Sequence, residues 1–170
     1  MQQTLKGFKM ENNKIRIILA DDNIHLRKFV KEKILSNSEF EIIAETDDGD
    51  EELEMIVEMK PDIVVTDLKR DKGISGLEVI KKCYDLGIKD VDFLVTTGGY
   101  YKESFFELQE MGISYILRKP FELDTLMKEI YRIKEERAGK LLEIKNESKI
   151  DKSRNIFSKI FELITSNINR

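Results

Sequence analysis

The chain has 170 residues, of which 41% are hydrophobic and 36% charged, with a net charge of −4. This is enough apolar material for one domain with some excess, and the acidic balance speaks against direct nucleic-acid binding. One cysteine excludes an internal disulfide and suits a reducing, cytoplasmic setting, and no stretch approaches the ~20 apolar residues of a membrane span.

Residues 1–13 read as a short polar leader, without the apolar region of a signal peptide. Ile15–Ala20 is a continuous apolar run apart from Arg16 and predicts a buried strand; Ile24, Leu26, Phe29, Val30, Ile34 and Leu35 follow at helical spacing. Phe40–Ala44 predicts a second strand and Glu51–Met59 a second helix. Ile63–Thr66 is a third strand, opened by Pro61 and closed by Asp67. Leu77–Leu86 is helical after Gly76, and Cys83 falls there among Val79, Ile80 and Leu86 as a small core residue. Val91–Thr97 is a fourth strand, Phe105–Met111 a helix that stops at Gly112, Ser114–Leu117 a short fifth strand and Leu123–Ile133 a fifth helix.

Five β-α units with apolar strands in the middle predict an α/β fold: one five-stranded parallel sheet, doubly wound, with helices on both faces. Sites in such sheets lie beyond the C-terminal strand ends. The residues there are Asp21 and Asp22 after the first strand, Asp67 after the third, Thr97 at the end of the fourth and Lys119 after the fifth.

That set has a chemical logic. Adjacent carboxylates repel, and each raises the other's proton affinity unless a cation lies between them. Mg²⁺ suits them, because it takes oxygen ligands and keeps several waters. A carboxylate is also a nucleophile towards phosphorus, giving an aspartyl phosphate; a lysine ammonium neutralises the transferring group, and a threonine hydroxyl hydrogen-bonds it once it has arrived. Asp67 ends the most continuously apolar strand and is the best nucleophile candidate. Singly, each residue has a plainer reading: Asp22 or Asn23 as the cap of the first helix, Asp67 as a turn residue, Thr97 as a strand residue, Lys119 as a surface lysine. Their arrival together, in order, at strand ends favours the site. His25, one turn from the acidic pair, has no second ligand nearby and reads as a surface helix residue.

Four stretches carry a family resemblance: Ile18–Asn23, Pro61–Asp67, Val95–Gly98 and Gly112–Phe121. Over residues 14–137 the chain resembles the receiver domain of bacterial two-component response regulators. The resemblance implies a flavodoxin-like (βα)5 fold and phosphorylation of Asp67. It implies Mg²⁺ held by Asp21, Asp22, Asp67 and the backbone carbonyl of Lys69, with Thr97 as switch hydroxyl and Lys119 against the phosphoryl group. It also implies a cis Lys119–Pro120 bond, X-Pro being the step where cis costs least.

The chain departs from the family in two places. Met-Pro usually stands three and four positions after the acceptor; here Arg70-Asp71 does, in a loop to Gly76 about one residue longer and more charged. The switch aromatic usually stands three residues before the lysine; here Ile116 does, and Tyr115, one earlier, faces the other way on a strand. Lys69, two after Asp67, resembles the corresponding residue of the sporulation phosphorelay intermediate, and implies slow hydrolysis of the phosphoryl group.

Residues 138–170 hold seven Lys/Arg against four Asp/Glu and are too short for a winged-helix or four-helix DNA-binding domain. A C-terminal extension, helical and amphipathic, is expected there: Leu141, Leu142 and Ile144 prolong the fifth helix past Gly139, and Ile156, Phe157, Ile160, Phe161, Leu163, Ile164 and Ile168 form an apolar stripe. The stripe fits packing on the receiver or in a homodimer, a groove on a partner protein, or an anionic membrane surface beside Lys149, Lys152, Arg154 and Lys159. The expected function is a stand-alone receiver that takes a phosphoryl group from a sensor histidine kinase or histidine phosphotransfer protein and signals to a downstream protein partner, without turning over a separate substrate. The alternative is a phosphorylation-independent scaffold or dimerisation module. A haloacid-dehalogenase-like phosphatase would need a second Asp where Lys69 stands.

Overall fold

The computed structural model describes residues 14–99 and 102–168. The expected polar leader, residues 1–13, lies outside them, as do the side chains of the apolar stripe from Ile156 onwards. Five strands alternate with five helices: β1 (Ile15–Ala20), α1 (Ile24–Leu35), β2 (Phe40–Thr46), α2 (Gly49–Met59), β3 (Ile63–Asp67), α3 (Gly76–Asp85), β4 (Asp92–Thr97), α4 (Lys102–Glu110), β5 (Tyr115–Arg118) and α5 (Leu123–Ile168). All strand pairs are parallel, in the order β2-β1-β3-β4-β5, as the α/β reading requires.

The sequence explains where the elements stop. Asn23, rather than Asp22, caps α1: its side chain accepts from the backbone N–H groups of His25 and Leu26. Asp48 caps α2 in the same way. Ser75 and Glu78 form a capping box at the start of α3. α2 ends at Lys60 in the left-handed region, with φ 50°, immediately before Pro61. β3 is buried at every residue, so its side chains feed both faces of the sheet. On one face Ile18, Val64, Phe93 and Val95 pack with Ile56 of α2, Val79, Ile80 and Cys83 of α3 and Leu108 of α4. On the other, Leu19 and Val65 face Val30 of α1 and Leu126 of α5. Burial pushes the Cys83 thiol up to about 12, so it sits in this core as a neutral apolar group.

The chain divides into two compact units at the Ile130–Tyr131 step, and α5 continues unbroken from the first into the second. The sequence reading gives a fifth helix over Leu123–Ile133 and a helical extension that prolongs it past Gly139; the observed α5 is one helix that runs to Ile168. Gly139 costs a helix only about 1 kcal/mol relative to alanine, and i,i+4 pairs such as Arg132–Glu136 support the turns before it.

The α2–α3 side of the core also holds a buried ion pair. The side chains of Glu52 on α2 and Arg70 in the β3–α3 loop are both fully buried, with Arg70 Nη2 against Glu52 Oε2. Burial pushes the Glu52 carboxyl up to about 7, against the opposing pull of Arg70 and of the Thr66 hydroxyl. A carboxyl with a raised pKa in the folded state stabilises the fold fully below its ordinary value of 4.5 and loses that contribution as the pH rises through 7. Urea unfolding at several pH values is expected to show stability falling between pH 4.5 and 7 more steeply in wild type than in Glu52→Gln, by on the order of 1 kcal/mol per pH unit. Parallel curves for the two proteins would contradict the assignment.

Candidate functional site

The strand order reverses direction between β1 and β3, and the residues that end these two strands meet there. Ala20 lies opposite Thr66 in the β1–β3 register, so the next residues, Asp21 and Asp67, emerge side by side. One carboxylate oxygen from each of Asp21, Asp22 and Asp67 lies within 4.8 Å of the others. Asp21 and Asp67 are buried to within 8% exposure, whereas Asp22 is exposed. One face of the cluster is therefore open to an incoming group.

Lys119 reaches this cluster from beyond β5. Its Nζ donates to Asp21 Oδ2 at 2.7 Å and to Asp67 Oδ2 at 2.8 Å. Its backbone N–H donates to the Thr97 carbonyl at 2.7 Å, and the Lys119–Pro120 bond is cis. Burial raises the Asp67 pKa; Lys119 and the Lys69 backbone N–H oppose that rise, and the Asp21 charge adds to it. For Lys119 burial alone would lower the pKa, but the hydrogen bonds and charges of Asp21 and Asp67 together raise it. The lysine therefore stays an ammonium between two carboxylates.

The other candidates fall around this centre. Lys69 stands two residues after Asp67 with its side chain exposed. The Thr97 hydroxyl donates to the Gly99 carbonyl at 3.1 Å. Thr97 and Ile116 line a cleft of about 210 Å³ with Leu68, Phe105 and Arg118. Tyr115 instead lines a separate groove with Ile80, Tyr84 and Met111. The two neighbours on β5 thus face opposite ways, as strand geometry requires. His25 is exposed on α1 and lies outside the carboxylate cluster.

Three contributors had no clear sequence signal. Arg27 Nη1 donates to the Asp21 carbonyl and steadies the end of β1. The buried Glu52–Arg70 pair joins α2 to the loop after Asp67. Gly76 sits so close that a Cβ there would lie 2.2 Å from the Asp67 carbonyl oxygen and 3.0 Å from the Thr66 hydroxyl. The Gly after Ser75 was visible in sequence as a helix start, but its close approach to Asp67 was not.

A sequence profile described as response regulator receiver domain matches residues 17–131. The chain is 31% identical over 121 residues to a nitrate/nitrite response regulator protein homolog of Haemophilus influenzae, covering 71% of this chain and 57% of that one. It is 32% identical over 113 residues to a protein-glutamate methylesterase/protein-glutamine glutaminase of Pyrococcus abyssi, covering 65% of this chain and 30% of that one. The chain thus spans about half or less of the length of these relatives. Among solved structures it is similar in fold to a CheY-like receiver domain protein of Methanospirillum hungatei, with TM-score 0.68 and 19% identity over 75% of this chain and 99% of that one. A receiver domain of a putative LuxO repressor protein from Vibrio parahaemolyticus gives TM-score 0.69 and 20% identity over 76% and 97%.

Alanine for glycine near a helix start usually stabilises or is neutral. At Gly76 the sign is expected to reverse, because the new methyl meets backbone rather than a movable side chain. Gly76→Ala is expected to lose about 2 kcal/mol in urea unfolding; a gain in stability would show that the approach of α3 to Asp67 is looser than described.

Proposed function

The chain belongs to the response regulator receiver domain family, and we propose that it accepts a phosphoryl group on Asp67 in a Mg²⁺-dependent reaction and signals through phosphorylation-dependent protein contacts. The observation that supports this reading best is the Lys119 ammonium held at 2.7 and 2.8 Å between Asp21 and Asp67, beside an exposed third carboxylate. The donor in this reading is a sensor histidine kinase or a histidine phosphotransfer protein, as for the family, and the setting is cytoplasmic. Among the described residues no helix is long and apolar enough to cross a membrane.

In the proposed transfer an Asp67 carboxylate oxygen forms a bond to phosphorus as the P–N bond to the donor histidine breaks. The imidazole leaves with the bonding pair and takes up a proton. Asp21, Asp22, Asp67 and the Lys69 carbonyl are the groups that would hold Mg²⁺, which supplies charge neutralisation of the phosphoryl oxygens when bound. The donor set fits: it is all oxygen, anionic and partly open to water. Lys119 stays charged and pairs with the phosphoryl group. The Lys69 N–H orients the Asp67 carboxylate. Phosphorylation of Asp67 turns one negative charge into two, and the Thr97 hydroxyl, one hydrogen bond from Gly99, rotates to meet the new acceptor. That movement alters the cleft shared with Phe105 and Ile116, which gives a downstream partner a surface to read.

Incubation with acetyl phosphate and Mg²⁺ is expected to add one phosphoryl mass, stable in acid. The gain should vanish in Asp67→Asn and on chelation of the metal. No gain in wild type, or a gain that survives Asp67→Asn, would favour the phosphorylation-independent scaffold instead. A Lys69 side chain laid over the phosphoryl group would hinder an attacking water, so Lys69→Ala is expected to shorten the phosphoryl lifetime. An unchanged or longer lifetime in a decay assay contradicts that role.

A further inference from the structure

The loop between Asp67 and α3 is fastened to the start of α2 at successive points. Leu68 is buried, and its N–H donates to the Thr96 carbonyl at 2.9 Å. The Arg70 side chain is fully buried against Glu52. Lys72 forms an isolated parallel bridge with Asp48, its carbonyl accepts from Gly49 N–H at 3.2 Å, and its Nζ donates to Asp47 Oδ2 at 2.6 Å. Gly73 has φ +63°, and a Cβ there would lie 2.4 Å from the Asp48 side chain. The longer, more charged loop is therefore a strap that crosses to the β2–α2 junction before returning to Gly76.

Of the side-chain fastenings, the Arg70–Glu52 contact is the buried one. The Lys69–Arg70 peptide contains the Lys69 carbonyl, and the Lys69 N–H donates to the Asp67 carboxylate. We propose that Glu52 and Arg70 are a positioning pair that fixes this peptide, so that the Lys69 carbonyl is set for the metal and Asp67 is held for attack. The proposal rests on the phosphoacceptor reading above. As a source of stability the pair is poor: beyond the single Nη2–Oε2 ion contact, neither the Arg70 nitrogens nor the Glu52 oxygens make a well-formed hydrogen bond, and apolar residues of similar volume would do as well. As a constraint it is strong. A planar guanidinium against one carboxylate accepts few orientations, whereas an unbranched apolar side chain slides in its pocket. The pair touches neither phosphoryl group nor metal; it acts through the backbone of Lys69.

The test uses the full chain at pH 8, with Mg²⁺ affinity from calorimetric titration, stability from thermal melting and phosphorylation from acetyl phosphate. In the double variant Glu52→Leu with Arg70→Met, the melting temperature is expected to stay near wild type. Mg²⁺ affinity is expected to fall about 10-fold, with phosphorylation slowed to match. Ile34→Val, a core change on α1, should lower the melting temperature and leave Mg²⁺ affinity unchanged. If the double variant fails to fold, Arg70→Lys, which keeps the charge and loses the planar fork, is expected to weaken Mg²⁺ binding as well. Wild-type Mg²⁺ affinity in the folded variants overturns the positioning role, and so does a wild type that binds no Mg²⁺. A wild type that binds Mg²⁺ but takes no phosphoryl group overturns the phosphoacceptor reading alone, and the titrations still decide the pair.

Discussion

Everything at the C-terminal edge of the sheet depends on crowding three carboxylates around one ammonium. At an effective dielectric constant of 20, two like charges 4 Å apart repel by about 4 kcal/mol. The fold sustains this because Lys119 stands between Asp21 and Asp67, and because Asp22 stays in water. The arrangement follows from topology. Only a parallel sheet whose order reverses between β1 and β3 brings the ends of those strands together. Only β5, two strands further along, sends a side chain back across the mouth from the far side of β4.

The sheet was legible because its signals are redundant. β1 and β3 are apolar runs closed by aspartates, and α1, α2 and α3 each begin at a capping side chain. The site candidates were legible for a related reason: a strand end is easy to locate, and the chemistry of five strand ends can be read jointly. What escaped was what depends on distance in space. Arg70 reads as one more charged loop residue until the fold turns its side chain inward onto Glu52, which itself looks like a solvent-facing residue of a charged helix start. Gly76 reads as a break before a helix until β3 and α3 are seen to touch. The helical extension was legible from its apolar periodicity; that it joins the fifth helix without a break follows because a single glycine in a charged, periodic segment is a weak stop.

The β4–β5 side shows how one substitution reshapes a readout without touching the charges. Ile116 occupies the position where the family usually carries an aromatic, and it leaves a cleft of about 210 Å³ beside Thr97 and Phe105. A branched aliphatic side chain has neither the reach nor the flat face of a ring, so a rotating Thr97 hydroxyl vacates space that no ring can sweep into. Tyr115 offers no substitute, because it is buried on the opposite side of the strand. In the proposed switch, the contact that is released is therefore the one from Thr97 to the Gly99 carbonyl, close to the exposed Phe105 in the same cleft.

The double hydrogen bond of Lys119 also sets the order in which charges must change. Its ammonium cannot stay bound to Asp21 and move fully to a phosphoryl oxygen on Asp67. If it leaves Asp21, that carboxylate, at 8% exposure, loses its cationic partner and is left as an unpaired buried charge. Asp21 and Asp22 are the residues that would hold a divalent cation, which would offset that charge and leave the lysine free to pair elsewhere. In the proposed reaction the metal and the lysine are thus exchange partners at Asp21 rather than additive sources of positive charge. The lysine serves the two carboxylates when the metal is absent and the phosphoryl group when it is present. A metal requirement in that reaction would then arise from the resting hydrogen bonds of Lys119 as much as from the charge of the incoming group.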